Sequence, residues 1–162
     1  MNYDTIEVHL SSEVACVSMN RPEVMNALNT QMRAEITDAY KRLAPQARVI
    51  VLTGRGKAFC SGQDLGDRAN AAQLDLERTL RDEYEPMLRA IIECRIPTIT
   101  ALNGAAAGAG ANLALASDVV IASKSSYFMQ AFTKIGLIPD AGGTYLMPRT
   151  MGLAKAMGAA LF

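Results

Sequence analysis

Val49 to Thr53, VIVLT, is an unbroken apolar run of strand length, the pattern of a strand covered on both faces. Two further runs of strand length, Thr98 to Leu102 after Pro97 and Asp118 to Ala122, follow it. A long crossover separates the first two. The small-residue run AAAGAGANLALA, entered through Asn103-Gly104 and expected to be helical, separates the last two. Strand, crossover, strand, small-residue helix, strand implies a partly parallel α/β sheet.

The remaining elements are consistent with that sheet. Ile6, Val8 and Leu10 alternate with Glu7 and His9, Ser11-Ser12-Glu13 makes a turn, and Val14 to Met19 forms a second strand, so the chain starts on a hairpin. After a loop from Asn20 to Asn29, Thr30 is the expected N-cap of a helix to Leu43, with Met32, Ile36, Tyr40 and Leu43 on one face. A charged helical region runs from Asp67 to Arg95. Its stripe of Leu80, Tyr84, Met87, Leu88 and Ile91 reads as core, and Pro86 should kink or divide it. Met151 to Phe162 reads as a last helix with an apolar end, and no internal repeat is visible.

Composition excludes several classes of function. At 162 residues with 50% hydrophobic and 20% charged residues, the chain fits one globular domain. Sixteen basic residues against sixteen acidic ones point to neither nucleic acid nor an anionic membrane as partner. Cys16, Cys60 and Cys94 are widely spaced and lack a CxxC pair, which argues against a disulfide framework and a zinc site. The opening MNYDTIEVHL does not read as a secretory signal, and Thr98 to Ser117 is too weakly apolar for a membrane helix, so a reducing, cytoplasmic setting is expected. His9, the single histidine, falls in a strand pattern, which disfavours Ser-His-Asp and Cys-His catalysis.

Three places are candidates for chemistry. In KIGLIPDAGGTYLMPR, Asp140 stands between an apolar run and the Gly142-Gly143 turn; Ile135, Leu137 and Ile138 are expected to bury its approach. Two readings stay open for Asp140: a turn residue or N-cap after Pro139, or a desolvated carboxylate whose raised pKa suits a proton acceptor. Ser61-Gly62-Gln63 and Gly108-Ala109-Gly110 present backbone N–H groups with little side chain in the way, the second at a helix start. Close helix-to-strand packing is the alternative for those glycines. A dinucleotide fingerprint fits poorly, because Leu113 stands where a third glycine belongs, and a P-loop is absent.

Taken together and in order, NRPEVMNALN, GKAFCSGQDL, NGAAAGAGANLALASD and IGLIPDAGGTYLMPR resemble the crotonase, or enoyl-CoA hydratase/isomerase, superfamily. Within it, AGAGA, Met129 to Phe132 and GLIPDAGGT are most similar to the 1,2-epoxyphenylacetyl-CoA isomerases. The resemblance implies an α/β, crotonase-like spiral of ββα units over residues 1–162. It also implies an acyl-CoA thioester as partner, held at its carbonyl by the N–H groups of Gln63 and Ala109, with Ala58, Ser61, Asp64, Leu65 and Phe132 around it. The two glutamates of the hydratases are replaced here by Asn112 and Phe132. Asp140 stands where the superfamily's isomerases place an acid, so an isomerase without metal or redox cofactor is implied, coenzyme A being part of the substrate. A non-catalytic acyl-CoA-binding or assembly module, a hydratase, and a hydrolase or dehalogenase using Asp140 as nucleophile are the alternatives. The resemblance further implies homotrimers, commonly paired into hexamers, and C-terminal helices beyond the equivalent of Phe162, so a truncated chain is expected.

Overall fold

The computed structural model describes residues 2–66 and 75–162. The expected hairpin is present: β1 (Ile6–Ser11) pairs antiparallel with β2 (Val14–Met19), and Ser12 and Glu13 turn the chain with φ of 49° and 63°. Positive φ at both turn residues matches the twist of the flanking strands. His9 is exposed on β1. Onto β2 are added β3 (Val49–Gly54), β5 (Thr98–Leu102) and β7 (Val119–Ala122), all parallel, in the order β1-β2-β3-β5-β7. In β3 the two faces are covered unequally. Ile50 and Leu52 are fully buried, whereas Val49, Val51 and Thr53 are half-buried.

A second sheet interleaves with the first. β4 (Ala58–Cys60), β6 (Ala105–Ala107) and β8 (Tyr127–Met129) pair in parallel in that order. Each follows a strand of the large sheet, so β3-β4, β5-β6 and β7-β8 are three turns of one spiral. The small-residue run is therefore not one helix. Its first three residues are β6, and only Ala109–Ala114 is helical. Gly104 is the reason β6 lies beside β4, since a Cβ there would stand 2.0 Å from the Lys57 carbonyl oxygen.

Helix α1 (Thr30–Leu43) packs Met32, Ile36, Tyr40 and Leu43 into the core as expected. Its cap is Asn29, not Thr30: the Asn29 side chain accepts from the Met32 N–H at 2.8 Å, one residue before the expected position. Buried Glu35 on α1 accepts from the Asp4 and Thr5 N–H groups at 2.8 Å each and from the Thr5 hydroxyl at 2.5 Å. Burial raises its pKa, but the bonds from Thr5, Asp4 and Gln31 outweigh burial and hold the carboxyl below the ordinary 4.5. A lowered carboxyl stabilises the fold above its unfolded pKa and loses that contribution as pH falls. Glu35→Gln is therefore expected to destabilise the chain by roughly 1–3 kcal/mol at pH 7 in urea unfolding, a difference that shrinks as the pH falls below the ordinary carboxyl range. A deficit independent of pH would refute the assignment.

The charged region is described from Asp75 onward, so the expected helix start at Asp67 lies outside the described residues. Asp75 caps α2 (Leu76–Thr79), a π turn follows over Leu80–Tyr84, and α3 runs from Glu85 to Ile92. Pro86 divides the helix as anticipated: it cannot donate a main-chain bond, and the ladder widens just before it, with the Glu85 N–H reaching back to the Leu80 carbonyl. Tyr84, Met87, Leu88 and Ile91 are core, while Leu80 is half-buried.

After α4 (Ala109–Ala114), β7 and β8, the chain ends in α5 (Gly143–Met151) and α6 (Leu153–Leu161). The last helix starts later than expected because Gly152, with φ 81°, closes α5 first. Ile135, Leu137 and Ile138 do not bury the approach to Asp140; they are 68%, 43% and 77% exposed. They lie beyond the core cluster, and Leu137 and Ile138 instead line an apolar hollow of about 290 Å³ with Leu153, Met157 and Leu161. No helix among the described residues is long and apolar enough to cross a membrane.

Candidate active site

The two backbone donors expected from sequence come from successive turns of the spiral. After β4 the chain makes a short parallel bridge with Leu28: the Leu28 N–H donates to the Gly62 carbonyl at 2.8 Å and the Asp64 N–H to the Leu28 carbonyl at 3.1 Å. Gly62, with φ 96°, carries this loop against the next turn. A Cβ on it would stand 2.8 Å from the Ala107 carbonyl oxygen and 3.4 Å from the Ala109 nitrogen, so the turn at Gly62, with Gln63 next in the chain, lies against the start of the following helix.

Both readings of the glycine pair are realised, one in each residue. Gly110 is packing: a Cβ would meet the Cys60 carbonyl oxygen at 2.5 Å and its sulfur at 2.7 Å. Gly108 is conformation, with φ 51° and ψ −126°, a backbone that releases the chain from β6 into α4. Because α4 spans six residues, it offers N–H groups more than a long helix dipole. The Phe132 ring lies 3.7 Å from where a Gly108 Cβ would be, and Phe132 is buried.

Asp140 is fixed mainly through its backbone. Its carbonyl accepts from the Gly143 N–H and from the Asn112 side-chain amide, both at 2.8 Å. Asn112 is fully buried and accepts from the Gln130 amide at 2.8 Å, giving a chain Gln130 to Asn112 to Asp140. Ala141 and Gly142 both take positive φ, 47° and 79°, and Gly142, not Asp140, occupies the N-cap position of α5. Oδ1 of Asp140 is closed off from solvent, although the residue as a whole is half-buried. The turn reading thus describes its main chain and not its carboxylate.

The remaining sequence candidates divide. Asp64 holds the loop rather than facing outward: its carboxylate accepts from Arg21 at 2.6 Å and from the Gly66 N–H at 2.8 Å. Ala58 is buried in β4, Leu65 is 71% exposed, and the Ser61 hydroxyl and N–H turn back to the Val24 and Met25 carbonyls. Burial pushes the Cys60 thiol up to about 12, opposed by a bond from the Gly62 N–H, so it is a neutral spacer. Among the described residues no group of three or more His, Cys, Asp or Glu side chains is placed to hold a metal ion.

Arg33, Glu83 and Tyr84 were not anticipated here. Arg33, 1% exposed, bonds Glu83 through two of its nitrogens and gives N–H groups to the Leu28 carbonyl at 2.6 Å and Gln63 Oε1 at 3.1 Å. Tyr84 donates to the same Gln63 oxygen at 2.6 Å. Burial is the main reason the Tyr84 hydroxyl is held well above its ordinary pKa; Arg33 opposes the shift and the negative charge of Asp140 adds to it. Tyr84 and Asp140 also line one groove of about 810 Å³ between the divided helix and α5. The signal for Arg33 was its spacing: with Ile36 and Tyr40 it falls at i, i+3, i+7 on the buried face.

Residues 9–162 match the enoyl-CoA hydratase/isomerase family. The chain belongs to that family. Its interleaved sheets are the crotonase spiral: a putative enoyl-CoA hydratase from Streptomyces coelicolor A3(2), 37% identical, superposes with a TM-score of 0.90 over 99% of this chain and 61% of that one. A family member from Rhodobacter capsulatus, a probable enoyl-CoA hydratase, is 62% identical across 100% of this chain and 63% of its own length. The 1,2-epoxyphenylacetyl-CoA isomerase of Escherichia coli is 44% identical over 158 residues, 94% of this chain and 60% of its own. The chain thus spans less than two thirds of the length of these curated relatives.

Proposed function

We propose that this chain carries the proton-transfer centre of an acyl-CoA isomerase, acting on a 3-enoyl-CoA or on a ring-1,2-epoxyphenylacetyl-CoA. The observation that carries the reading is a positioned carboxylate: Asp140 is clamped through Asn112, and among the described residues positions 112, 130 and 132 around the clamp hold two amides and a phenyl ring rather than a second acid. Hydration needs one group to activate water and another to deliver a proton. Isomerisation needs one base used twice. Asp140 removes a proton from the carbon beside the thioester, the Gln63 and Ala109 N–H groups hold the enolate oxygen, and the same acid returns the proton two carbons along. Each such N–H is worth about 2.7–4 kcal/mol in related transition states. Buried Phe132 keeps water from the enolate, which favours proton return.

Incubation of the purified chain with a 3-enoyl-CoA is expected to give the conjugated 2-enoyl isomer, followed by its absorbance, with no 3-hydroxyacyl product. Conversion of a 2-enoyl-CoA to the hydroxy product would instead support hydration, the reading suggested by the probable hydratase of R. capsulatus.

A further inference from the structure

We propose that Arg33 and Tyr84 are positioning residues for the thioester carbonyl: by gripping the Gln63 side chain they hold its main-chain N–H in register with that of Ala109. The inference rests on the acyl-CoA reading above and concerns residues outside the proton-transfer step. Gln63 Oε1 receives Tyr84 at 2.6 Å and Arg33 at 3.1 Å, which fills both lone pairs, and its Nε2 donates to the Asp64 carbonyl at 3.2 Å. A side chain so occupied is turned into the protein. What Gln63 has left to offer a ligand is its backbone.

Arg33 secures the loop at a second point. The Leu28 carbonyl accepts both the Arg33 guanidinium and the Asp64 N–H, while the Leu28 N–H holds Gly62, so residues on either side of Gln63 are tied to one hub. Arg33 is in turn fixed by Glu83, by the Thr30 hydroxyl at 3.2 Å and by the Tyr84 ring, whose centroid lies 4.8 Å from the guanidinium carbon. Glu83 and Tyr84 are the last two residues of the π turn, so the irregular stretch of the helix falls where these contacts are made. Gly62 leaves no room for even a Cβ against Ala107, with Ala109 close behind. Any drift of the loop therefore changes the spacing of the two donors, and small misplacements of preorganised donors weaken the transition state more than the ground state.

The test uses the whole chain and two readouts: turnover of a 3-enoyl-CoA, and the absorption of bound cinnamoyl-CoA, whose conjugated thioester shifts to the red when its carbonyl is polarised. Tyr84→Phe removes the hydroxyl alone, and Gln63→Met removes the gripped amide while keeping the main-chain N–H. Both are expected to lower kcat about tenfold with KM within about twofold, and to shrink the red shift by roughly half. Arg33→Lys keeps the charge but lacks the fork that reaches Gln63, Leu28 and Glu83 together, and is expected to fail in the same way. A wild-type red shift and kcat in Tyr84→Phe and Gln63→Met, a change in KM alone, or no red shift in the unaltered chain would each overturn the proposal. If Tyr84→Phe does not fold, Gln63→Met alone decides between these outcomes. Asp140→Asn, measured alongside, should keep the full red shift while losing turnover. A fully active Asp140→Asn would remove the isomerase reading and leave the red-shift comparison in force.

Discussion

Asp140→Asn is expected to lower isomerase kcat on the order of 10²–10⁴-fold with little change in KM, the range seen when a general base is removed. Asparagine keeps the volume and the main-chain turn. The Asp140 carbonyl still accepts from Asn112 and Gly143, so loop geometry should survive. What disappears is the ability to take and return a proton. A variant that turns over at the wild-type rate would eliminate Asp140 as the base. Mass spectrometry under turnover adds a second discrimination: an acyl group covalently attached to Asp140 would mark it as a nucleophile.

Gly110→Ala is expected to have the largest effect on the fold and, through it, on the site. The added methyl would stand 2.5 Å from a main-chain oxygen of Cys60, so relief requires α4 and β4 to move apart. Overpacking of this kind costs about 1–3 kcal/mol and more where backbone is the obstacle. The same movement separates Ala109 from the Gly62-Gln63 loop, so turnover should fall further than stability alone explains. Gly158→Ala in α6 is the control: nothing lies within 4 Å of its added Cβ, and replacing a helix-interior glycine gains about 0.5–1 kcal/mol. Urea unfolding of the pair should move in opposite directions. Equal stability of Gly110→Ala and wild type would show that the contact between α4 and β4 is looser than described.

How far the sequence could be read depended on the range of the interaction involved. The strands β1, β2, β3, β5 and β7, the helix α1, and the division of the helical region at Pro86 were legible because hydrophobic period and proline chemistry are local. The second sheet left no such local signal and was implied only by the family resemblance. Its strands are three residues each, too short to show a period, and their pairing is imposed by close approaches at Gly104 and between Gly110 and Cys60. The three turns share backbone geometry without shared residues, which is why no repeat was visible.

At the site, local patterns marked the Ser61-Gly62-Gln63 and Gly108-Ala109-Gly110 turns and left two readings open for Asp140; the choice of Gln63, Ala109 and Asp140 came from the family resemblance. The exposure of Ile135, Leu137 and Ile138 was decided by tertiary structure, because apolar character alone does not say which neighbour will cover a residue. The same holds for Arg33 and Tyr84. Arg33 falls at the spacing of the buried face of α1 and Tyr84 reads as core, but neither pattern names a partner; only the packing of α1 against the divided helix brings a guanidinium and a phenol onto one glutamine oxygen 30 and 21 positions away. The sequence by itself determined which groups the chain has for chemistry and the order of its main strands. The tertiary structure decided which of those groups meet, because hydrogen bonds between distant residues depend on the spiral's register and leave no periodic trace along the chain.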